Sequence, residues 1–224
     1  MNKQYYGVIE EKVSDKDWLG ADIILPRSPE GTNSFVKNGE IQYNQKDVHY
    51  NSCTIHGAIM AYSTLTGYEF TLKERKELWA KAIELGANPS IGWYIHSAID
   101  LVRDYVNDNL DVKVSSYRVE LGSFEHLMAM RLGYNVVCGY RGNKEFREDR
   151  NDNDIIDDVK LDTPTTYGHC LSCVYSIGDE YDNVIDNYYP RKNNIYRVPT
   201  AHWKELVKNK VFFKWGYIYL VKQK

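Results

Sequence analysis

Cysteine is scarce in this chain: four residues, at 53, 138, 170 and 173, among 224. That is too few for a scaffold built on disulfides, so a reducing, cytoplasmic compartment is the simplest setting. Long apolar runs are missing as well. The N-terminus, MNKQYYGVIEEKVSDKDW, meets acidic residues before any hydrophobic stretch, so neither a secretory signal nor a membrane-spanning segment is read there. The chain also lacks an excess of either charge. With 28 basic against 31 acidic residues the formal net charge is −3, and no global field recruits nucleic acid or an anionic membrane. Internal repeats and flexible linkers do not occur. Recognition must therefore come from a local site.

What is present supports a sizeable core: 43% of the residues are hydrophobic, enough for a single domain over 1–224 made of one body or two close-packed lobes. The 19 tyrosines follow no fixed period and read as amphipathic packing and surface residues. Residues 1–50 form an extended lead-in, marked by Gly20, Pro26, Pro29, Gly31 and Gly39. From Asn51, the segment SCTIHGAIMAYSTLTG carries Ile55, Ile59, Met60 and Tyr62 at helical spacing and stops at Gly67, which places Cys53 in a first turn. A second helix opens with a T-x-x-E box at Thr71 and Glu74 and closes at Gly86. A third spans about 93–106 on the stripe Ile95, Ile99, Leu101, Val102, Val106.

After Asp111 the period changes. VKVSSYRVE alternates as a strand, a short helix runs from Ser123 to Leu132, and NVVCGY reads as a buried strand. Residues 148–163 are too acidic to bury and form a solvated excursion; the Gly and terminal Glu of an EF-hand are out of place, so no calcium is implied. YGHCLSCVYSIG, VIDNYYP and GYIYLVKQ follow as β-rich runs. The fold class is α+β, with a helical lobe over 51–110, an antiparallel sheet lobe over 111–224 and a cleft between them.

Three residues carry chemistry in this layout. Cys53 stands at a helix start, where oriented N–H groups and the positive end of the helix dipole favour a thiolate nucleophile, and Asn51 and Ser52 are residues of the capping type. His169, behind Gly168 and ahead of an apolar strand, is an imidazole suited to take the thiol proton and pass it to a leaving amine. Asn187 offers a side-chain carbonyl that would orient that ring.

The order Cys, His, Asn, with helices first and strands later, resembles the papain-like cysteine peptidases over nearly the whole chain. The matching motifs are Asn44-Gln45, Ser52-Cys53, Gly168-His169 and Asn187, together with GYNVVCGY and WGYIYLV. The resemblance implies a two-lobe fold and peptide hydrolysis through a Cys53 thioester, with His169 as base and acid and Asn187 orienting it. It further implies an oxyanion hole of Gln45 and the Cys53 N–H, for which Gln42 and Asn51 are alternatives. Gly92 resembles a strip along which an extended polypeptide substrate lies, and Gly139 and Cys170 resemble pocket walls. No cofactor is required, and a protein inhibitor is a further partner class.

The chain departs from the family pattern in places. Gln45 lies eight residues before Cys53, two beyond the family habit, so HYNS would have to bulge; Thr54 stands where an aromatic is usual. Asn187-Tyr188-Tyr189-Pro190 replaces the Asn-Ser-Trp-Gly turn, leaving a Tyr to shield the His–Asn bond. Family disulfides and a long inhibitory propeptide have no counterpart. These features describe a divergent, compact member of the kind found in microbes or their viruses.

Three rival readings remain. His49, Cys53 and His56 have spacing that would suit zinc, and Cys170-x-x-Cys173 invites a metal or redox reading, although two residues so spaced in a strand point to opposite faces. Amidases, transglutaminase-like enzymes and cell-wall hydrolases use the same thioester chemistry. A binding module without catalysis would keep the scaffold alone.

Overall fold

The computed structural model describes residues 8–9, 43–141, 168–175, 180–187 and 195–222. The acidic stretch 148–163 and the tyrosines at 188 and 189 lie outside these residues. In chain order the elements are β1 (Val8–Ile9), a 3-10 turn (Gln45–Asp47), α1 (Cys53–Thr66), α2 (Leu72–Glu84), β2 (Trp93–Tyr94) and α3 (Ile95–Asn109). They continue with β3 (Lys113–Glu120), α4 (Phe124–Arg131), β4 (Val136–Tyr140), β5 (His169–Tyr175), β6 (Tyr181–Asp186), β7 (Ile195–Pro199), α5 (Trp203–Lys208) and β8 (Phe212–Lys222). No helix among the described residues is long and apolar enough to cross a membrane.

α1 contains no Asp, Glu, Lys or Arg, and every residue from Cys53 to Leu65 is buried. A helix apolar on all sides belongs at the centre of a fold, and α1 packs against α3 on one side and strands β4, β5 and β8 on the other. Gly67 ends it at φ 74°. α2 begins with the T-x-x-E box: Thr71 Oγ1 accepts from Glu74 N (3.2 Å), and Glu74 Oε2 accepts from Thr71 N (2.7 Å). Such a cap stabilises by about 1 kcal/mol. Ser123 caps α4 in the same manner, accepting from His126 N (3.1 Å).

The strands form one six-stranded antiparallel sheet in the order β3-β8-β4-β5-β6-β7. β8 is eleven residues long and joins β3 to β4, with an irregularity between Cys138 and Tyr140. Two registers matter for function: Tyr140 lies opposite His169, and Leu171 lies opposite Asp186. Behind this region α5 docks through Trp203, whose Nε1 donates to the buried Asp182 Oδ2 (2.8 Å) and whose ring meets the edge of His126. Burial raises the Asp182 carboxyl and pushes His126 down to about 3, so that ring is neutral in the folded protein. β1 runs parallel to β2, Val8 opposite Trp93.

β7 and α5, from IYRVP and WKELVK, were not read from the sequence; both are short, and their stripes bury only in company with β6 and β8. One close approach gives a stability prediction. A Cβ at Gly139 would sit 2.2 Å from Cδ2 of Phe213, a buried ring with little room to yield. Gly139→Ala is expected to destabilise the fold by roughly 1–3 kcal/mol, read as a lowered midpoint in chemical denaturation.

Candidate active site

The start of α1 and the start of β5 meet. Cys53 is the first residue of α1 and is 0% exposed, while His169 opens β5 and is 1% exposed. The first backbone N–H groups of a helix have no intrahelical acceptor, so the Cys53 end of α1 presents donors as well as sulfur. The Cys53 sulfur lies close enough to the imidazole to help raise its pKa. Nε2 donates to Oδ1 of Asp186, 2.6 Å away and 2% exposed. A carboxylate only accepts, so at that distance Nε2 carries a proton.

The electrostatics follow from this arrangement. Burial pulls the His169 ring down, but the charge and hydrogen bond of Asp186, joined by the Cys53 sulfur, more than reverse it and raise the ring to about 10. His169 is therefore an imidazolium across neutral pH. A sulfur at a helix tip, a charged ring and a buried carboxylate stand in one line.

The side chain bonded to the ring is Asp186; Asn187, expected from the sequence to orient it, is bonded elsewhere. Because Leu171 lies opposite Asp186 and shares its sheet face with His169, the carboxylate projects on the face of the ring. Asn187 follows the end of β6. Its Nδ2 donates to the backbone carbonyl of Cys53 (3.2 Å), and its own carbonyl accepts from Gln45 N (3.1 Å).

Solved structures of low sequence identity share this architecture. Xylellain, a cysteine protease from Xylella fastidiosa, superposes with a TM-score of 0.61 at 13% identity, covering 96% of this chain and 96% of that one. ProCathepsin B S9 from Trypanosoma congolense gives a TM-score of 0.64 at 10% identity, covering 99% of this chain and 88% of that one. The chain has the papain-like fold. No protein-family model and no curated protein sequence matches it.

Gln45 sits in the loop before Cys53, and this loop is closed by turn hydrogen bonds. Val48 N and His49 N both donate to the Gln45 carbonyl, and Ser52 N closes on the His49 carbonyl. The Gln45 side chain is part of this turn: Nε2 donates to the Tyr50 carbonyl (2.5 Å), which leaves one amide hydrogen uncommitted by that bond. Asn51 spends its Nδ2 on the Pro89 carbonyl (2.8 Å). Ser52 occupies the N-cap position without capping; its hydroxyl donates to the His49 carbonyl (2.7 Å). Gln42 lies outside the described residues.

The three pocket residues have other structural duties. Gly92 is a glycine because its φ of 107° closes a tight turn, in which its N–H and C=O are both paired with Asn88. Gly139 is buried beneath Phe213, and Cys170 is fully buried, with Sγ where a Cβ on Gly57 of α1 would come within 2.6 Å. None of them offers the open edge or wall expected.

The proposed zinc ligands also separate. His49 stacks on Trp79 (5.3 Å) and accepts from Asn51 N through Nδ1, whereas His56 Nδ1 meets the Ser52 carbonyl (3.0 Å) and burial pushes its ring down to about 3. Cys170 faces α1, while Cys173 Sγ lies 3.1 Å from Cys138 Sγ. All four cysteines are free thiols.

Asp186 was missed although a signal existed. In HCLSC and DNVID, alternation allows only one of Asp186 and Asn187 to share a face with His169, but choosing between them needs the strand register, which is non-local.

Proposed function

We propose that this protein is a cysteine peptidase in which Cys53 is the nucleophile, His169 its proton carrier and Asp186 the group that orients and charges the ring. The observation that carries the reading is the buried ring of His169, bonded to the Asp186 carboxylate at 2.6 Å and influenced electrostatically by the nearby Cys53 sulfur. The similarity in fold to two cysteine proteases supports peptide bonds as the target.

In this mechanism the Cys53 thiolate attacks the carbonyl carbon of a polypeptide held in extended form. The carbonyl oxygen becomes an oxyanion, met by the Cys53 backbone N–H and the second amide hydrogen of Gln45; one such donor is worth ~2.7–4 kcal/mol in the transition state. His169 gives its proton to the amide nitrogen as the C–N bond breaks, and a thioester remains. Neutral His169 then takes a proton from water, whose oxygen attacks the thioester and releases the acid and the thiolate.

A thiol-directed irreversible peptidase inhibitor, followed by peptide mapping, should place one adduct on Cys53. Parallel panels of peptides, isopeptides and muropeptides should show turnover of peptides. An unlabelled Cys53 would favour a non-catalytic module, and turnover confined to isopeptides or muropeptides would move the enzyme to another acyl-transfer class.

A further inference from the structure

The residue after Asp186 does something the Cys–His–Asp line does not require. Asn187 is 2% exposed and bonds to two residues of one segment far from it in sequence. Its Nδ2 donates to the carbonyl of Cys53 (3.2 Å), 134 residues away, and its backbone carbonyl accepts from the N–H of Gln45 (3.1 Å). The nucleophile's own residue, the oxyanion loop and the strand end bearing Asp186 are thereby joined at a single point.

We propose that Asn187 is a positioning residue: a latch that fixes the distance between the α1 tip and the end of β6, and so sets the Cys53–His169–Asp186 spacing. This rests on the reading of Cys53 as nucleophile.

Three considerations support the latch. Cys53 and His169 belong to different halves of the fold, and nothing in the covalent chain near either sets their separation. Catalytic geometry is intolerant: displacements on the order of 1 Å cost up to about 100-fold in rate. The amide also has an enforced direction, since Cys53 O is an acceptor and only the nitrogen end of Asn187 can face it. At the end of β6, Asp186 bonds to the ring and Asn187, the residue after it, bonds to the first residue of α1, so adjacent side chains serve both partners.

The test uses the full chain with Asn187→Ala and Asn187→Asp. The second has nearly the same shape but replaces the donor by an oxygen. Three quantities are read: the thermal midpoint, kcat and KM on the peptide best cleaved by the wild type, and the pH profile of Cys53 alkylation by iodoacetamide. Both variants should lose about tenfold in kcat with KM within about threefold, and the alkylation profile should differ from that of the wild type. Asn187→Asp should recover part of its loss, relative to wild type, as acid protonates the carboxyl and restores a donor.

An unchanged alkylation profile in both variants, or losses confined to the thermal midpoint, overturns the latch. Wild-type protein that alkylates at Cys53 but cleaves no peptide sinks the peptidase reading, and the shift in the alkylation profile still decides the latch. Wild-type cleavage with unaltered variants sinks the latch alone.

Discussion

Cys53→Ala is expected to lower kcat on a cleaved peptide by on the order of 10⁴–10⁶-fold while the protein stays folded. The sulfur is the only atom in the line that can form the thioester, and the other thiols cannot stand in. Cys170 and Cys173 are fully buried, and burial raises both thiols well above the usual range, which keeps them protonated and unreactive. Removing a buried sulfur should cost about 1 kcal/mol of stability, so loss of turnover is separable from loss of fold. His169→Ala is a less clean experiment. It leaves the Asp186 carboxylate buried without its partner, a change that typically costs about 3–5 kcal/mol, and inactivity would then be ambiguous. Turnover by Cys53→Ala within tenfold of wild type, on protein shown to be homogeneous by mass, would end the assignment.

The elements that could be read from sequence are those fixed by neighbours along the chain. The Thr71–Glu74 box, Ser123 before α4 and Gly67 after α1 act within four residues, so their stereochemistry shows in a linear string. Cys53 and His169 were legible because each stands at the first residue of a strongly patterned element. The third member of the line was not. Asp186 ends β6 and Asn187 follows it, both are polar, and the choice depends on Leu171 pairing with Asp186 rather than with a neighbour. A slip of one residue would exchange their faces. The glycines given as pocket residues carry other demands. Glycine satisfies many demands, and at 92 and 139 the demands are a positive φ and the Phe213 ring, which motif matching does not see.

The carboxylate at 186 makes a prediction that an amide there would not. Two variants separate its duties: Asp186→Ala removes orientation and charge together, whereas Asp186→Asn keeps an oxygen that Nε2–H can still meet. Both substitutions should lower kcat, by as much as about 10⁴-fold. Both should move the alkaline limb of the kcat/KM profile. Burial pulls His169 down and the Asp186 carboxylate raises it, the net result being about 10; without the carboxylate the ring must fall, so the imidazolium is lost at lower pH. The limb should shift acidward by about one pH unit or more in either variant. Stability carries the same signature with a fixed sign. The folded ring holds its proton up to about 10, while the unfolded ring releases it near 6.5. The contribution is therefore complete below about pH 6.5 and fades as pH rises towards 10. Wild type should lose stability across that window, and Asp186→Asn should lose much less. Equal pH slopes in the two proteins, together with an unmoved alkaline limb, would show that the carboxylate does not hold the charge of this ring.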